Sequence, residues 1–200
     1  MNTAKVHLVD DDEAIRDALS WLLKSRGIIA STYDSAETFL ATWTPQLSGC
    51  VVLDMRMTGM SGLDCFDELR TRQSQLPVIF LTGHGDVPLA VATLKKGAFD
   101  FFEKPFNDHD LVSRISEAMA QNAALLAANA TVDSVNTRIS KLTTREKQIM
   151  ELVLAGKYNK IIADELNISM RTVEVHRANL FDKMEVKTAV ELANLLKPGR

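Results

Sequence analysis

Asp10, Asp11, Asp54, Thr82 and Lys104 are the side chains of this 200-residue chain whose types could share one reaction. Each stands at or just past the end of an apolar run: "KVHLV" before Asp10 and Asp11, "VVL" before Asp54, "VIFL" before Thr82, "FDFFE" before Lys104. An apolar strand that delivers a carboxylate to its end is costly unless the charge is compensated. Three such acids close together repel, and an octahedral Mg²⁺ with carboxylate and water oxygens is the natural counter-ion. That cation would neutralise an incoming phosphoryl group and leave Asp54 as an in-line nucleophile. Lys104 can pair with one phosphoryl oxygen and Thr82 can hydrogen-bond another. Singly, each has a plainer explanation: an acidic run is a solvated turn or a helix cap, Lys-Pro is a loop, a strand-end threonine is a cap. Together they are specific, because their order and spacing must fit one sheet.

The elements that would position them can be read from the hydrophobic pattern. "KVHLV", "IIASTY", "CVVLD", "PVIFLTG" and "AFDFFEKPF" predict five strands. Between them, "DEAIRDALSWLLKSRG", "SAETFLATW", "GLDCFDELRTR" and "VPLAVATLKKG" carry helical periods, with Ser35 as an N-cap and Gly27 as a stop. "NDHDLVSRISEAMA" adds a fifth helix. Strands alternating with helices predict a doubly wound, five-stranded parallel sheet, whose site lies at the carboxyl ends of the strands. Residues 123–139 are rich in helix formers up to Ala130, which predicts a helical linker, continuous or broken near Thr131.

Composition is that of a soluble globular chain, with no apolar run of the ~20 residues needed to span a bilayer. The N-terminus turns acidic where a signal peptide would stay apolar, so a cytoplasmic protein is expected. Cys50 and Cys65 fit neither a disulfide framework nor a metal-ligand spacing. The net charge of −3 hides an asymmetry: acids outnumber bases before residue 140, and bases outnumber acids after it. A polyanion is therefore a candidate partner for the back half.

That half is helical throughout: "TREKQIMELVLAG", "YNKIIADEL", "SMRTVEVHRANLFDKM" and "KTAVELANLLK". The second and third meet at a short turn around Asn167, and Ser169 caps the third. On a helical wheel Val173, His176, Leu180 and Met184 form a core stripe. Arg171, Val175, Ala178 and Asp182 lie opposite, flanked by Glu174 and Asn179. Thr172, His176 and Lys183 line one edge and Arg177 the other. This is the layout of a recognition helix, with small and polar residues toward base edges and donors toward phosphates. A mixed polar surface helix would look similar.

On these residues the chain resembles a known family. "VDDDE", "VVLDMRM" with "GMSG", "LTGHGD" and "EKPF" resemble the receiver domain of two-component response regulators. The resemblance implies that Asp54 accepts a phosphoryl group from a sensor histidine kinase. It further implies Asp11 and Asp54 as Mg²⁺ ligands, Asp10 as a ligand through water and the backbone carbonyl of Arg56 as a further protein ligand. Thr82 and Lys104 then sense the phosphate, and Phe101 is the aromatic switch residue. The family usually has proline where this chain has Thr58, which alters the stiffness of the loop beside Asp54. "LTTREKQIMELVLAGKYNKIIADELNISMRTVEVHRANLFDKMEV" resembles the LuxR-type (FixJ-like) helix-turn-helix domain. Glu146, Gly156, Asn159, Ile162, Ala163, Leu166, Thr172, Val173, His176 and the pair Lys183-Met184 fall on its pattern.

The resulting expectation is a transcriptional regulator rather than an enzyme. Residues 1–122 are a receiver, 123–139 a linker and 140–200 the DNA-binding domain. The phosphorylated chain is a homodimer on double-stranded promoter DNA, with RNA polymerase as a further partner and no membrane contact. Expected DNA contacts are Ser169, Arg171, Thr172, Glu174, Val175, His176, Arg177, Ala178 and Lys183. Two other readings are open to the sequence. "LDMRMT" superficially resembles an aspartyl-phosphatase loop, but that loop needs an acid where Arg56 stands. A receiver that only docks or dimerises would not need its full set of phosphate-handling residues.

Overall fold

The computed structural model describes residues 4–83 and 87–197, and the chain forms two compact units, residues 1–126 and 127–200. In the first, strands β1 (Lys5–Val9), β2 (Ala30–Tyr33), β3 (Gly49–Asp54), β4 (Val78–Thr82) and β5 (Asp100–Glu103) form one parallel sheet of order β2-β1-β3-β4-β5. Helices α1 (Glu13–Ser25), α2 (Ala36–Thr42), α3 (Gly62–Thr71), α4 (Val87–Lys95) and α5 (Asp108–Ser140) complete the alternation. Strand order reverses at β1, so the crevice beyond the carboxyl ends of β1 and β3 is the expected binding position.

The central strands are apolar on both faces because both are covered. Val51, Leu53, Val78 and Phe80 point into a core with Phe39, Phe66 and Leu69 from α2 and α3. Their neighbours Val52, Ile79 and Leu81 point the other way, against Leu19 and Leu23 of α1 and Leu111 and Ile115 of α5. Period-two alternation thus builds two cores on one sheet. Each fully buried Leu or Phe contributes roughly 1.5–3 kcal/mol, and a one-residue slip of β3 would exchange its two faces and carry Asp54 out of register.

Polar residues fix the ends of the elements. Asp12 caps α1, its Oδ1 accepting from Ala14 N at 2.9 Å and Ile15 N at 3.4 Å. Ser35 and Ser61 cap α2 and α3. Asn122 is buried late in α5: its Oδ1 accepts from Gly49 N at 2.9 Å and its Nδ2 donates to Gln75 O at 2.9 Å. It ties that helix to the starts of two strands. Cys50 and Cys65 are buried and unbridged, and burial pushes both thiols up to about 12.

Helix α5 runs without a break through residues 123–139 to Ser140, and the alternative break near Thr131 does not occur. The Thr131 hydroxyl donates back to Ala127 O at 3.0 Å, which lets a β-branched residue sit inside the helix. The second unit adds α6 (Thr144–Leu154), α7 (Asn159–Leu166), α8 (Met170–Met184) and α9 (Ala189–Leu195) around Ile149, Ile162, Val173, Leu180, Met184 and Leu192. Asn167 ends α7 in the left-handed conformation, φ 51°, and Ser169 starts α8 by accepting from Thr172 N at 3.1 Å. Two residues of opposite capping character thereby make the turn between α7 and α8. Among the described residues no helix is long and apolar enough to cross a membrane.

Candidate functional site

The three consecutive aspartates after β1 have three separate tasks. Asp12 is the cap of α1. Asp10 is buried, and its Oδ1 accepts from Asp12 N at 2.9 Å while its Oδ2 faces Lys104. Asp11 is exposed, and its Oδ2 accepts both the Thr58 N–H at 2.8 Å and the Thr58 hydroxyl at 2.9 Å. These hydrogen bonds hold the Asp11 carboxyl below its ordinary value.

Asp54 closes β3, buried, beside Leu81 of β4 in register. Its Oδ2 accepts from Arg56 N at 2.9 Å, and its Oδ1 accepts from Lys104 Nζ at 2.5 Å. The same ammonium donates to Asp10 Oδ2 at 2.8 Å, so one cation bridges acids from two strand ends. Burial pushes the Asp54 carboxyl up, against the pull of Lys104. For Lys104, burial acts downward, but hydrogen bonds to Asp10 and Asp54 raise it on balance. Lys104 is delivered by the chain leaving β5, where its N–H donates to Thr82 O at 2.8 Å and the Lys104-Pro105 peptide is cis.

Thr82 is fully buried at the end of β4, and its hydroxyl reaches Phe102 O only at 3.5 Å. Phe101 on β5 is half-buried against the core on the α2 and α3 side. His84, Gly85 and Asp86 of "LTGHGD" lie outside the described residues.

The sheet thus brings Asp10, Asp54 and Lys104 into direct contact and sets Thr82 on the adjacent strand end. Among the described residues no three acidic, histidine or cysteine side chains are placed to hold a metal ion. Thr58 occupies Oδ2 of Asp11, and Lys104 occupies one oxygen each of Asp10 and Asp54. The donor set itself, carboxylate oxygens at two neighbouring strand ends, is what a hard divalent cation takes.

Sequence reasoning missed two participants. One is Thr58, noticed only as a departure from proline. The other is Gly62, at the start of α3. Its N–H donates to Met55 O at 3.2 Å, and a Cβ there would lie 2.1 Å from the Asp54 carbonyl oxygen. Backbone cannot yield that distance, so Gly62→Ala is expected to cost about 3 kcal/mol by displacing α3 from the strand end. An unchanged melting temperature of the receiver unit would contradict that packing.

On α8 the wheel maps onto real surfaces. Val173, Leu180 and Met184 are fully buried, while Arg171, Glu174, Val175, Ala178, Asn179 and Asp182 are exposed and Thr172 and His176 are half-buried. Arg171 lies 3.4 Å from Glu174, one turn on, and keeps 86% of its side chain in solvent. The Ser169 and Thr172 hydroxyls pair at 2.8 Å. Two expected phosphate donors have other work. Arg177 donates to Asn159 Oδ1 at 2.9 Å and stacks over Phe181. Lys183, in the last turn, contacts the buried Glu146 carboxylate at 2.7 and 3.0 Å. In the DNA-free chain Lys183 thus ties α8 to α6, with about a third of its side chain in solvent.

Comparison with known proteins agrees with both halves of this picture. Residues 6–116 match the model of the response regulator receiver domain, and residues 140–196 match the luxR family of bacterial regulatory proteins. The C4-dicarboxylate transport transcriptional regulatory protein DctR of Rhodobacter capsulatus is 47% identical over 192 residues, covering 95% of this chain and 98% of its own. The transcriptional regulatory protein FixJ of Bradyrhizobium diazoefficiens is 42% identical over 190 residues, covering 95% and 93%. Among solved structures, the response regulator StyR superposes with a TM-score of 0.93 at 40% identity, covering 97% of this chain and 98% of its own. The chain belongs to the response regulators that couple a receiver domain to a luxR-type DNA-binding domain, and it is a phosphorylation-dependent transcriptional regulator of a two-component system.

Proposed function

We propose that Asp54 is the phosphoryl acceptor and that Lys104 is the group that reads its state. The observation that carries this reading is the Lys104 ammonium, which spans Asp54 and Asp10 at 2.5 and 2.8 Å. A carboxylate oxygen of Asp54 forms the P–O bond as the P–N bond to a kinase histidine breaks, and the electron pair leaves on the imidazole nitrogen. Asp11, Asp54, the Arg56 carbonyl and, through water, Asp10 would hold Mg²⁺, which would supply charge neutralisation for the transferring group. The new phosphoryl adds charge and acceptor oxygens. Lys104 exchanges the Asp54 carboxylate for a phosphoryl oxygen, and the buried Thr82 hydroxyl, whose present contact is long, turns to another. Phe101 follows into the space that Thr82 leaves, and the surface around α4 and β5 changes.

In this reading residues 1–122 are the receiver, 123–139 the linker and 140–200 the DNA-binding domain of a cytoplasmic homodimer. Arg171, Glu174, Val175 and Ala178, from the exposed face of α8, meet base edges in the major groove. Ser169, Thr172 and His176 lie along its margin, and contact with RNA polymerase follows on the promoter. The test is incubation of the full chain with Mg²⁺ and a small-molecule phosphodonor, followed by intact mass, sedimentation and DNA binding. A gain of one phosphoryl group with dimerisation and tighter promoter binding is expected. No mass gain, with unchanged binding, would make the receiver a passive docking module.

A further inference from the structure

Thr58 stands where the receiver family usually has proline, and it does two things proline cannot. Its N–H and its hydroxyl both donate to the same oxygen, Asp11 Oδ2, at 2.8 and 2.9 Å. Proline has no N–H and no hydroxyl. We propose that Thr58 is a positioning residue that holds Asp11 away from the cation site, so that divalent-cation binding must first break the Thr58–Asp11 contact. This rests on the reading of Asp11 as a Mg²⁺ ligand.

Asp10, Asp11 and Asp54 each already accept from an internal donor: Asp10 and Asp54 from Lys104, and Asp11, through Oδ2, from Thr58. A cation therefore competes against internal donors rather than filling a waiting cage. Thr58 also lies on the loop that leaves Asp54, between β3 and α3. That loop has a second anchor, the Met60 N–H, which donates to Glu37 Oε1 at 2.9 Å. Release of Asp11 frees the loop at one point and leaves it held at the other. By reciprocity, whatever loosens the Thr58 contact raises cation affinity, and a bound cation loosens the loop beside the acceptor.

Hydrogen bonds to a carboxylate are among the stronger ones, but this pair is exposed and is therefore discounted. Calorimetric titration of the full chain with MgCl₂ tests the proposal. Thr58→Pro, which removes both donors, is expected to bind about tenfold more tightly than the natural chain. Thr58→Val removes only the hydroxyl and should fall between the two, and Thr58→Ser should restore the natural affinity. Unchanged or weaker binding in both Thr58→Pro and Thr58→Val overturns the proposal, since Thr58 would then be neutral or would present Asp11 to the cation. Thr58→Val keeps the test open should the proline variant fold poorly. Asp11→Asn separates the two readings. Loss of its Mg²⁺ binding confirms the ligand on which the proposal stands, whereas natural affinity in Asp11→Asn removes Asp11 from the site and the proposal with it.

Discussion

Asp54→Asn is expected to gain no phosphoryl mass under conditions where the natural chain gains one group, and its DNA affinity should not respond to the phosphodonor. An amide oxygen in place of the carboxylate is too weak a nucleophile to form the P–O bond. The fold should survive. Asparagine is isosteric, its oxygen can still accept from Arg56 N, and Lys104 keeps its 2.8 Å contact with Asp10. One charged hydrogen bond is lost, worth about 1.5–3 kcal/mol, but an unfavourably buried charge goes with it, so a net change within about 2 kcal/mol is expected. In the natural chain, coupling between receiver and DNA of about 1–3 kcal/mol would tighten promoter binding roughly 5–150-fold on phosphorylation. That increment should vanish in the variant. Equal mass gain in natural and variant chains would place the acceptor elsewhere.

Why so much of this was legible in sequence is a matter of which interactions have short-range signatures. Parallel sheets buried on both faces write continuous apolar runs, and a functional acid at the end of such a run, as Asp54 follows "VVL", stands out against them. Caps are equally local: Ser35, Ser169 and the Asn167 turn follow from side chains bonding their own backbone. What the sequence could not give was the choice each polar head makes among distant partners. Asp11 and Thr58 are 47 residues apart, Lys183 and Glu146 are 37 apart, and Asn122 reaches Gly49 across 73. A wheel shows that Lys183 lies on a flank but not that a buried carboxylate waits there. Gly62 closes the quoted "GMSG", but its close backbone approach has no pattern apart from the glycine itself.

Glu146 is where the second large effect is expected, together with its partner Lys183. The carboxylate is only 3% exposed and serves two elements at once. Its Oε2 accepts from Thr143 N at 2.8 Å, and the Thr143 hydroxyl accepts from Glu146 N at 3.3 Å, a capping box at the start of α6. Both its oxygens also meet Lys183 Nζ at the end of α8. Glu146→Gln keeps an acceptor for the cap but leaves Lys183 without its counter-charge, a loss of about 1.5–3 kcal/mol in the DNA-binding unit. Glu146→Ala adds the lost cap and should cost about 3–5 kcal/mol, enough to unfold much of that unit, while phosphoryl uptake by the receiver continues. Lys183→Met should likewise destabilise, by about 3 kcal/mol, because it strands a buried acid. Were Lys183 instead a phosphate contact, that variant would melt normally and its binding would lose about one unit of salt slope. The pH dependence has a definite sign. Burial alone would raise the Glu146 carboxyl, but Lys183 and the Thr143 N–H together hold it below the ordinary value of 4.5. A depressed native value means stabilisation that is complete above about pH 5 and is lost as pH falls below 4.5 through the native value. The melting-temperature gap between the natural chain and Glu146→Gln should therefore be flat from pH 5 to 7 and close toward pH 3. A gap that persisted undiminished at pH 3 would show that packing, not charge, fastens α8 to α6.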